Sequence, residues 1–338
     1  MEIPRKESNL VEMKTDLTIA ICAYNCERYI GETLSCLIAQ TYRDFELFIV
    51  NDCSTDNSRA VIEQFFEEHP FPHRIEDFEE NRGLAAGRRY VEENVQTKYI
   101  IFVDADDCPQ PTFVEKLYRT ITSDSDLMAV GCYLEFIDED GNKVHGGQYL
   151  GCKTKAEFYD RAARKKLMFM ASNAIFDREL ALRAGGRAVE GFPEGKPRYQ
   201  DLCEDLDLWT RMSDFYTEGK AIVVVPEVLM LYRKHSSGLS AGSFNMLLRM
   251  RHVKTNLLRR RAGENELTFI EFRDSLSAEE MRRLEKESAA ADALRRGFFL
   301  LKQRKFVSAV GNILKSVWLQ PGYLWQKVLS NSGLWKKK

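Results

Sequence analysis

The sequence predicts an α/β fold with a mostly parallel, doubly wound sheet, because strand and helix patterns alternate four times between residues 17 and 103. The clearest strand is residues 99–103, an unbroken apolar run with β-branched and aromatic side chains, which is typical of a strand buried on both faces. The acidic segment 104–107 follows it directly. Ligands of open α/β sheets bind at the carboxyl ends of strands, so this segment is the first candidate for a functional site.

Hydrophobic spacing predicts the other elements of the alternation. Residues 17–23 read as a buried strand, and Ile30, Leu34, Leu37 and Ile38 recur at helical spacing. The remaining predictions in this half are a strand at 45–50, a helix after Asp56 that Ser54 or Thr55 can cap and that carries Val61, Ile62, Phe65 and Phe66, a short strand near 74–78, and a helix from 84 to about 95.

The pattern changes after a helix predicted to start near Pro111. Residues 127–137 and a strand after Asp140, Gly141 and Asn142 form a predicted hairpin, with Asp-Gly as its turn. The later predictions are a helix at 154–168, a strand at 169–176, a short helix ending at Gly185–Gly186, a mobile loop at 187–198, a helix from Glu204, strands at 221–225 and 228–233, a loop at 234–242 that closes on a ligand, and helices from Phe244 onward. Ser277 and Glu280 predict a capping box that opens a helix to about Leu301.

Composition restricts the class of protein. With 338 residues, 44% hydrophobic and 30% charged, the chain can bury a large core, and a net charge of −2 gives no reason to expect nucleic acid as a partner. The eight cysteines show no CxxC pair, Met1–Lys14 lacks the apolar core of a signal peptide, and no apolar run approaches the ~18 residues of a membrane span. These features predict a cytoplasmic protein with reduced thiols.

The acids after residue 103 suggest a metal site. Asp104 and Asp106, one residue apart, can offer oxygens to a hard divalent cation that also takes oxygens from a diphosphate. The competing interpretation is that an acidic segment before Pro109 and Pro111 is a solvated turn or a helix cap. The motif alone does not decide between these two interpretations.

Seven short segments, read together, resemble the family 2 glycosyltransferases, which are inverting enzymes of the GT-A fold that use nucleotide sugars. The segments are Thr18–Asn25, Gln40–Tyr42, Phe45–Glu46, Asn51–Asp56, Gly83–Arg88, Asp104–Asp107 and Glu204–Asp205. They follow the family's order within residues 17–240 and leave the C-terminus outside. The family most often has Asp where Asn51 stands and Asn where Arg89 stands, which leaves details of donor binding less defined.

The resemblance implies a nucleotide-sugar site. Its residues would be Ala23, Tyr24, Asn25, Asp52, Arg88, Asp104 and Ala105, with Asp52 accepting a hydrogen bond from the uracil ring and Asp104 supporting the ribose or the water shell of the metal. The competing interpretations are that Asp52 caps the helix after Asp56 and that Arg88 is an exposed helix charge.

The resemblance also implies a Mn²⁺ or Mg²⁺ ion. Asp106 would be the direct ligand, and His235 would be a late contact to the metal or the diphosphate. The ion would act as a Lewis acid on the departing UDP. A single histidine in a polar loop can instead be merely solvated.

Asp205 matches the catalytic base of the family. A sugar hydroxyl is a poor nucleophile, so a positioned carboxylate has to take its proton. Glu204 and Asp207 are competing acids at the same helix start, where all three could simply stabilise the helix N-terminus. Ser172, Asn173 and Glu204 are the candidate acceptor contacts.

The predicted domains are a flexible N-terminus at 1–15, a GT-A domain at 16–242 and a helical extension at 243–338. The GT-A domain would hold a nucleotide-sugar half at 16–125 and a smaller, mixed acceptor half at 126–242. The segment 293–338 contains no acid, many basic residues and Trp318, Trp325 and Trp335. An apolar side with Phe299, Phe306, Val310, Ile313 and Val317 predicts an amphipathic helix on an anionic membrane, or a helix packed on the protein.

The sequence thus predicts an inverting, metal-dependent glycosyltransferase at the inner face of the membrane. It would move a sugar from a UDP-sugar to a glycan or lipid-linked acceptor in cell-surface polysaccharide synthesis. The alternatives are a nucleotidyltransferase, which would need a glycine-rich phosphate loop after the first strand, and a non-catalytic nucleotide-sugar-binding protein at a membrane. A dehydrogenase is excluded because no GxGxxG follows the first strand.

Overall fold

The computed structural model describes residues 15–189, 198–235, 243–302 and 304–322. It separates into two compact units. Within the described residues, the α/β unit comprises 15–189 and 204–235, and the helical unit comprises 198–203 and 243–322. The predicted loop segments 190–197 and 236–242, the N-terminal residues 1–14, and Trp325 and Trp335 lie outside the described residues.

The first half of the α/β unit is a parallel sheet with helices on both faces. Its four strands are β1 (Leu17–Ala23), β2 (Glu46–Asn51), β3 (His73–Asp77) and β4 (Tyr99–Phe102), in the order β3-β2-β1-β4. The helices are α1 (Ile30–Ile38), α2 (Ser58–Glu68) and α3 (Leu84–Asn94). Ile19 and Ile21 of β1 lie in one core with α1 and α2, whereas Ala20 lies in a second core with α3.

The second half continues the same sheet with mixed strand directions. Its strands are β5 (Cys108–Pro109), β6 (Leu127–Ile137), β7 (Lys143–Gln148), β8 (Ile175–Asp177) and β9 (Ala221–Arg233). The helices are α4 (Phe113–Thr122), α5 (Lys155–Ala163), α6 (Arg178–Arg183) and α7 (Glu204–Met212), followed by a 3-10 helix at Ser213–Glu218. Strand β8 pairs antiparallel with β4 and β6, β9 runs parallel to β6, and β5 and β7 pair antiparallel with β9 and β6. The predicted α/β class, parallel with a smaller mixed part, is confirmed.

Three local predictions were wrong. Neither Ser54 nor Thr55 caps α2, because the carboxylate of Asp56 accepts the Ser58 amide at 2.9 Å. Helix α5 ends at Ala163 instead of 168, since Lys165 adopts the left-handed region at φ 54°. The predicted strand at 169–176 is reduced to β8, and the predicted strands at 221–225 and 228–233 form one strand, β9, whose register against β6 shifts near Pro226.

The helical unit contains α8 (Ser243–Ala262), α9 (Phe269–Ser275), α10 (Ala278–Lys302) and α11 (Phe306–Leu319), and a 3-10 turn at Tyr199–Asp201. The predicted capping box is confirmed, because Ser277 N donates to Glu280 at 2.9 Å and Glu280 N donates to Ser277 Oγ at 3.2 Å. A second capping box, between Thr268 and Glu271, opens α9 and was not predicted.

Helix α11 divides its apolar residues between two faces. Ala309 is buried, and Ile313 lies so close to Gly297 of α10 that a Cβ on that glycine would come within 2.7 Å of it. The opposite face exposes large apolar side chains, namely Phe306, Val307, Val310, Leu314 and Trp318. The single apolar side expected from the sequence is therefore split between packing on α10 and exposure to solvent.

None of the helices in the described ranges is both long enough and apolar enough to cross a membrane.

Candidate active site

Asp52 lies at the carboxyl end of β2, next to the end of β1. Its amide donates to Ala23 O at 2.8 Å, which holds the two strand ends together. Its carboxylate accepts the backbone amides of Arg82 at 2.6 Å and Gly83 at 2.8 Å, at the start of α3. The side chain is buried, and the positive end of the α3 dipole stabilises its charge. The interpretation of Asp52 as a cap of α2 fails, because Asp56 makes the bond to the first residue of that helix.

Asn25 connects the loop after β1 to the loop after β2. Its Oδ1 accepts the amide of Thr55 at 2.8 Å, and its own amide donates to Ser54 Oγ at 3.1 Å. The residue has φ 48°, a conformation that asparagine tolerates better than most residues. Tyr24, beside it, is 42% exposed. Ala23, Tyr24, Asn25 and Asp52 therefore lie at one edge of the sheet, and their contacts with a nucleotide stay a prediction.

The turn after β4 brings Asp106 to His235. Asp106 Oδ2 and His235 Nε2 are 2.6 Å apart, and their side chains are 27% and 15% exposed. Within the part of the chain that the structure describes, no cluster of three or more ligating side chains occurs. A carboxylate and an imidazole that already meet form a partial donor set, which suits a cation that takes its other ligands from a diphosphate and water. These residues thus fit the predicted Mn²⁺ or Mg²⁺ site.

Asp107 has a different environment from the acids before it. It is fully buried and accepts hydrogen bonds from Arg233 N at 3.0 Å and Asn173 Nδ2 at 2.9 Å. Burial raises its pKa well above the ordinary value, and the charges of Asp104 and Asp106 add to this effect. Asp107 therefore joins the turn to β9 and to Asn173. The acceptor role of Asn173 and of Ser172, whose Oγ lies 3.4 Å from Asn173 Oδ1, stays a prediction.

Arg233 was not predicted and supports the same turn. Its Nε donates to Asp106 O at 2.9 Å and its Nη2 donates to Glu32 Oε2 at 2.6 Å. Its guanidinium lies 4.8 Å from the ring centroid of Tyr29, whose ring is also 5.5 Å from that of His235. These residues are far apart in the sequence, and no local motif marks them.

Arg88 is buried in α3 rather than exposed. Its guanidinium forms ion pairs with Asp104 and with Glu204, the first residue of α7. Burial raises the pKa of Asp104, the charges of Asp106 and Glu204 raise it further, and Arg88 opposes them. One arginine thus connects the acids after β4 to the start of α7. If Arg88 also contacts the nucleotide, as predicted, it does so with a guanidinium that is already paired with two carboxylates.

The three acids in the first turn of α7 differ in their partners. Glu204 is paired with Arg88 and Arg187, and Asp207 is paired with Arg211 at 2.9 Å. The Asp205 carboxylate instead accepts the Leu206 amide at 2.7 Å. Burial raises the pKa of Asp205 to about 6, the charge of Glu204 adds to this, and Arg88 and Arg187 oppose it. A carboxylate with this pKa is ionised at neutral pH and is well matched to accept a proton.

Comparison with known proteins shows which protein family the α/β unit resembles. The family model described as Glycosyl transferase family 2 matches residues 18–183. Glycosyltransferase GlyA of Streptococcus pneumoniae is 38% identical over 126 residues, which are 37% of this chain but 18% of that protein. An uncharacterized glycosyltransferase of Haemophilus influenzae is 27% identical over 228 residues, which are 67% of this chain and 67% of that protein. A teichoic acid poly(glycerol phosphate) polymerase of Staphylococcus epidermidis is 41% identical over 91 residues, covering 27% of this chain and 13% of that protein.

Solved structures show the same fold at low sequence identity. S. aureus TarS 1–349 in complex with UDP-GlcNAc has a TM-score of 0.53 at 16% identity and covers 92% of both chains. Mannosyltransferase PcManGT from Pyrobaculum calidifontis, in complex with GDP-Man and Mn²⁺, has a TM-score of 0.51 at 19% identity over 92% of this chain and 88% of that one. The predicted GT-A fold is confirmed. The family match and the named relatives together identify residues 18–183, within the α/β unit, as a glycosyl transferase family 2 domain.

Proposed function

We propose that this protein is an inverting glycosyltransferase that moves a sugar from a UDP-sugar to a hydroxyl of a glycan or lipid-linked acceptor. The observation that carries the proposal is the bridge made by Arg88 between Asp104 and Glu204. Asp104 lies two residues before Asp106, the proposed metal ligand, and Glu204 directly precedes Asp205, the proposed base. The bridge brings the strand-end acids and the base-bearing helix to one place.

Asp205 would remove the proton of the acceptor hydroxyl as its oxygen attacks the anomeric carbon. A pKa of about 6 keeps the base ionised at neutral pH without making it too weak to accept a proton. Attack from the face opposite UDP inverts the anomeric centre in one displacement. The ion pairs of Glu204 and Asp207 leave Asp205 as the best base of the three acids.

Asp106 and His235 would hold a Mn²⁺ or Mg²⁺ ion. The ion, when bound, would act as a Lewis acid on the diphosphate leaving group. Asp104 is held by Arg88, Ala105 O accepts a hydrogen bond from Thr33 Oγ1 at 3.0 Å, and Asp107 accepts from Arg233 N, so both ends of the turn are fixed. This fixed turn would place Asp106 without motion of the backbone.

The donor base would be recognised at Asp52. A carboxylate fixed by two backbone amides can accept the ring N–H of uracil. The solved relatives are in complex with UDP-GlcNAc in one case and GDP-Man in another, so the nucleotide has to be tested directly. Thermal shift with UDP-, GDP- and TDP-sugars, each with and without Mn²⁺, should give the largest Mn²⁺-dependent shift for a UDP-sugar. A larger shift with GDP-sugars would overturn the choice of uridine.

The acceptor would belong to cell-surface polysaccharide synthesis, with the enzyme on the cytoplasmic face of a membrane. Relatives named for teichoic acid and teichuronic acid synthesis support this choice. The exposed apolar face of α11 and the acid-free basic segment 293–338 would bind anionic lipid. The alternative for α11, packing within the protein, accounts for Ala309 and Ile313 but not for its exposed face.

Turnover separates the proposal from its two alternatives. A nucleotidyltransferase would release diphosphate from a nucleoside triphosphate, and a non-catalytic binding protein would shift in stability with a donor but release no UDP. Release of UDP from a UDP-sugar in the presence of acceptor would exclude the hypothesis that this is a non-catalytic binding protein. No release from any nucleotide sugar, with binding intact, would overturn the proposed function.

A further inference from the structure

Arg187 is a fully buried arginine that the proposed chemistry does not use. It lies just after α6, and its guanidinium forms ion pairs with Glu92 of α3 and Glu204 of α7. Its backbone amide also donates to Glu92 Oε2 at 2.9 Å. The guanidinium lies over the ring of Phe102, at the end of β4, at 4.4 Å from the centroid. Every polar group that holds Arg187 therefore comes from an element next to the candidate site.

The contacts form a continuous chain of charges, which we term the arginine bridge. It consists of Glu92, Arg187, Glu204, Arg88 and Asp104. Glu204 stands at its centre because each of its carboxylate oxygens accepts from a different arginine. Rotation of the first turn of α7 would break both ion pairs at once. The residue that follows Glu204 is Asp205, so the direction of Asp205 depends on the bridge.

We propose that Arg187 is a positioning residue that holds Asp205 in place for proton transfer, by tying Glu204 at the start of α7 to Glu92 in α3. The inference rests on the proposed role of Asp205 as base. The ion pairs of Arg187 are with Glu92 and Glu204, and neither of these is a proposed metal ligand. Its effect is on the catalytic step and not on donor binding.

The bridge also sets the charge that Asp205 experiences. Burial raises the pKa of Asp205 most, Glu204 on its own helix raises it further, and Arg88 from α3 and Arg187 from the segment after α6 lower it. Asp104, at the end of β4, and Asp207, paired with Arg211, are the other charged groups near this helix start. Loss of the Arg187 charge should raise the pH at which the base ionises. Loss of the Glu92 charge should lower it, because Glu92 adds negative charge to the same bridge.

The test compares variants of the full chain by steady-state kinetics as a function of pH. UDP release from UDP-GlcNAc, or from the UDP-sugar with the largest thermal shift, gives kcat and KM, and UDP with Mn²⁺ is the binding probe. Arg187→Met should lower kcat roughly 10-fold and leave KM for the donor within about twofold, as for loss of a supporting partner. The acid limb of kcat should move up by about one pH unit. Arg187→Lys keeps the charge and should keep the position of the limb.

Two further variants keep the inference falsifiable if Arg187→Met folds poorly. Glu92→Gln keeps the shape of the side chain and should move the acid limb down, opposite to Arg187→Met. Arg183→Met is the matched control, because Arg183 ends α6, shortly before Arg187, but pairs with Glu218 instead of with an acid of the bridge. It should leave the acid limb in place.

The outcomes separate the inference from the proposed function. Acid limbs that shift in opposite directions in Arg187→Met and Glu92→Gln would support the positioning role, since a purely structural role lowers the amount of folded protein without moving the limb. Unchanged limbs and kcat in folded Arg187→Met and Glu92→Gln, with Asp205→Asn inactive, would overturn it. Full transfer by Asp205→Asn would instead overturn the proposed base.

Discussion

The two units depart from the usual distribution of side chains in opposite ways. The α/β unit buries charge, since Arg88, Arg187, Glu92 and Glu204 are all almost inaccessible to solvent. The helical unit exposes hydrocarbon, since Val307 is 90% and Trp318 is 81% exposed. Both patterns are informative, because buried charges and exposed large apolar residues are the exceptions in globular proteins.

The difference indicates two kinds of function. A buried ion pair contributes little net stability, because desolvation offsets the Coulomb attraction, but its geometry is strict. The arginine bridge therefore fixes where the acids of the α/β unit point. Exposure of an apolar face to water is unfavourable, and burying that face against a partner is favourable. We therefore propose that the exposed face of α11 binds a surface and that the arginine bridge holds a reacting group.

The largest expected effect is on catalysis in the α/β unit. Asp205→Asn removes the proton acceptor and keeps the shape of the side chain, so transfer should fall by roughly 10²- to 10⁴-fold. Donor binding, measured by titration with UDP and Mn²⁺, should stay close to that of the unchanged protein. Asp207→Asn is the matched control, because Asp207 lies one residue beyond Leu206 and is paired with Arg211. Unimpaired transfer by Asp205→Asn would mean that another group is the base.

The next effect concerns the metal. Asp106→Ala removes the carboxylate that meets His235, and Mn²⁺-dependent binding of UDP should weaken by about 100-fold or more, since a metal ion contributes several kcal/mol to such a site. Calorimetric titration of UDP with and without Mn²⁺ gives the difference. Asp140→Ala is the control, because Asp140 lies in the exposed turn between β6 and β7 and pairs with Arg28. Retention of tight, Mn²⁺-dependent binding by Asp106→Ala would exclude Asp106 as a ligand.

Much of the α/β unit could be predicted from the sequence. The hydrophobic runs that become β1, β2 and β4 are buried on both faces, so their pattern is not ambiguous. The prediction failed where the local backbone conformation or the packing differed from what the hydrophobic pattern indicated. The left-handed Lys165 ends α5 early, and the apolar run around Met168 and Met170 fills a core without pairing as a strand.

The supporting residues of the site could not be predicted. Arg187, Glu92 and Arg233 have no motif of their own, and their partners lie up to 201 residues away, as in the pair of Arg233 with Glu32. Arg88 could be identified from its place in the resemblance, but its burial depends on Glu204 and Asp104, which no local pattern brings together. Sequence reasoning proposed residues that would contact a ligand, but it missed the residues that hold them in place.

The exposed face of α11 gives the next prediction. Replacing Val307 and Trp318 with serine removes apolar area whose burial is worth about 2 to 3 kcal/mol per large side chain, so binding to vesicles should weaken at least 30-fold. Flotation with vesicles containing phosphatidylserine measures the bound fraction. Tyr149→Ser is the control, because Tyr149 is an exposed aromatic residue of the α/β unit. Equal flotation of the double variant and the unchanged protein would contradict a membrane role for this face.

The smallest expected effect is on stability and again involves Asp205. Because its folded-state pKa of about 6 is above the ordinary value of about 4, folding favours the protonated form, and the free energy of unfolding decreases as pH rises from about 4 to 6. Asp205→Asn removes this cost, so the variant should be more stable at pH 7 by on the order of 1 kcal/mol. This is less than the free energy that corresponds to a shift of two full pKa units, because the side chain is partly solvated. Denaturant unfolding at pH 4 and pH 7 measures it, and the difference between variant and unchanged protein should shrink at the lower pH. A variant that is less stable at pH 7 would show that the ionised carboxylate is stabilised where it lies. In that case the proposed base would not reduce the stability of the fold. The contrast between a site that holds its reacting group at a cost in stability and a helical unit that exposes an apolar face would then be lost.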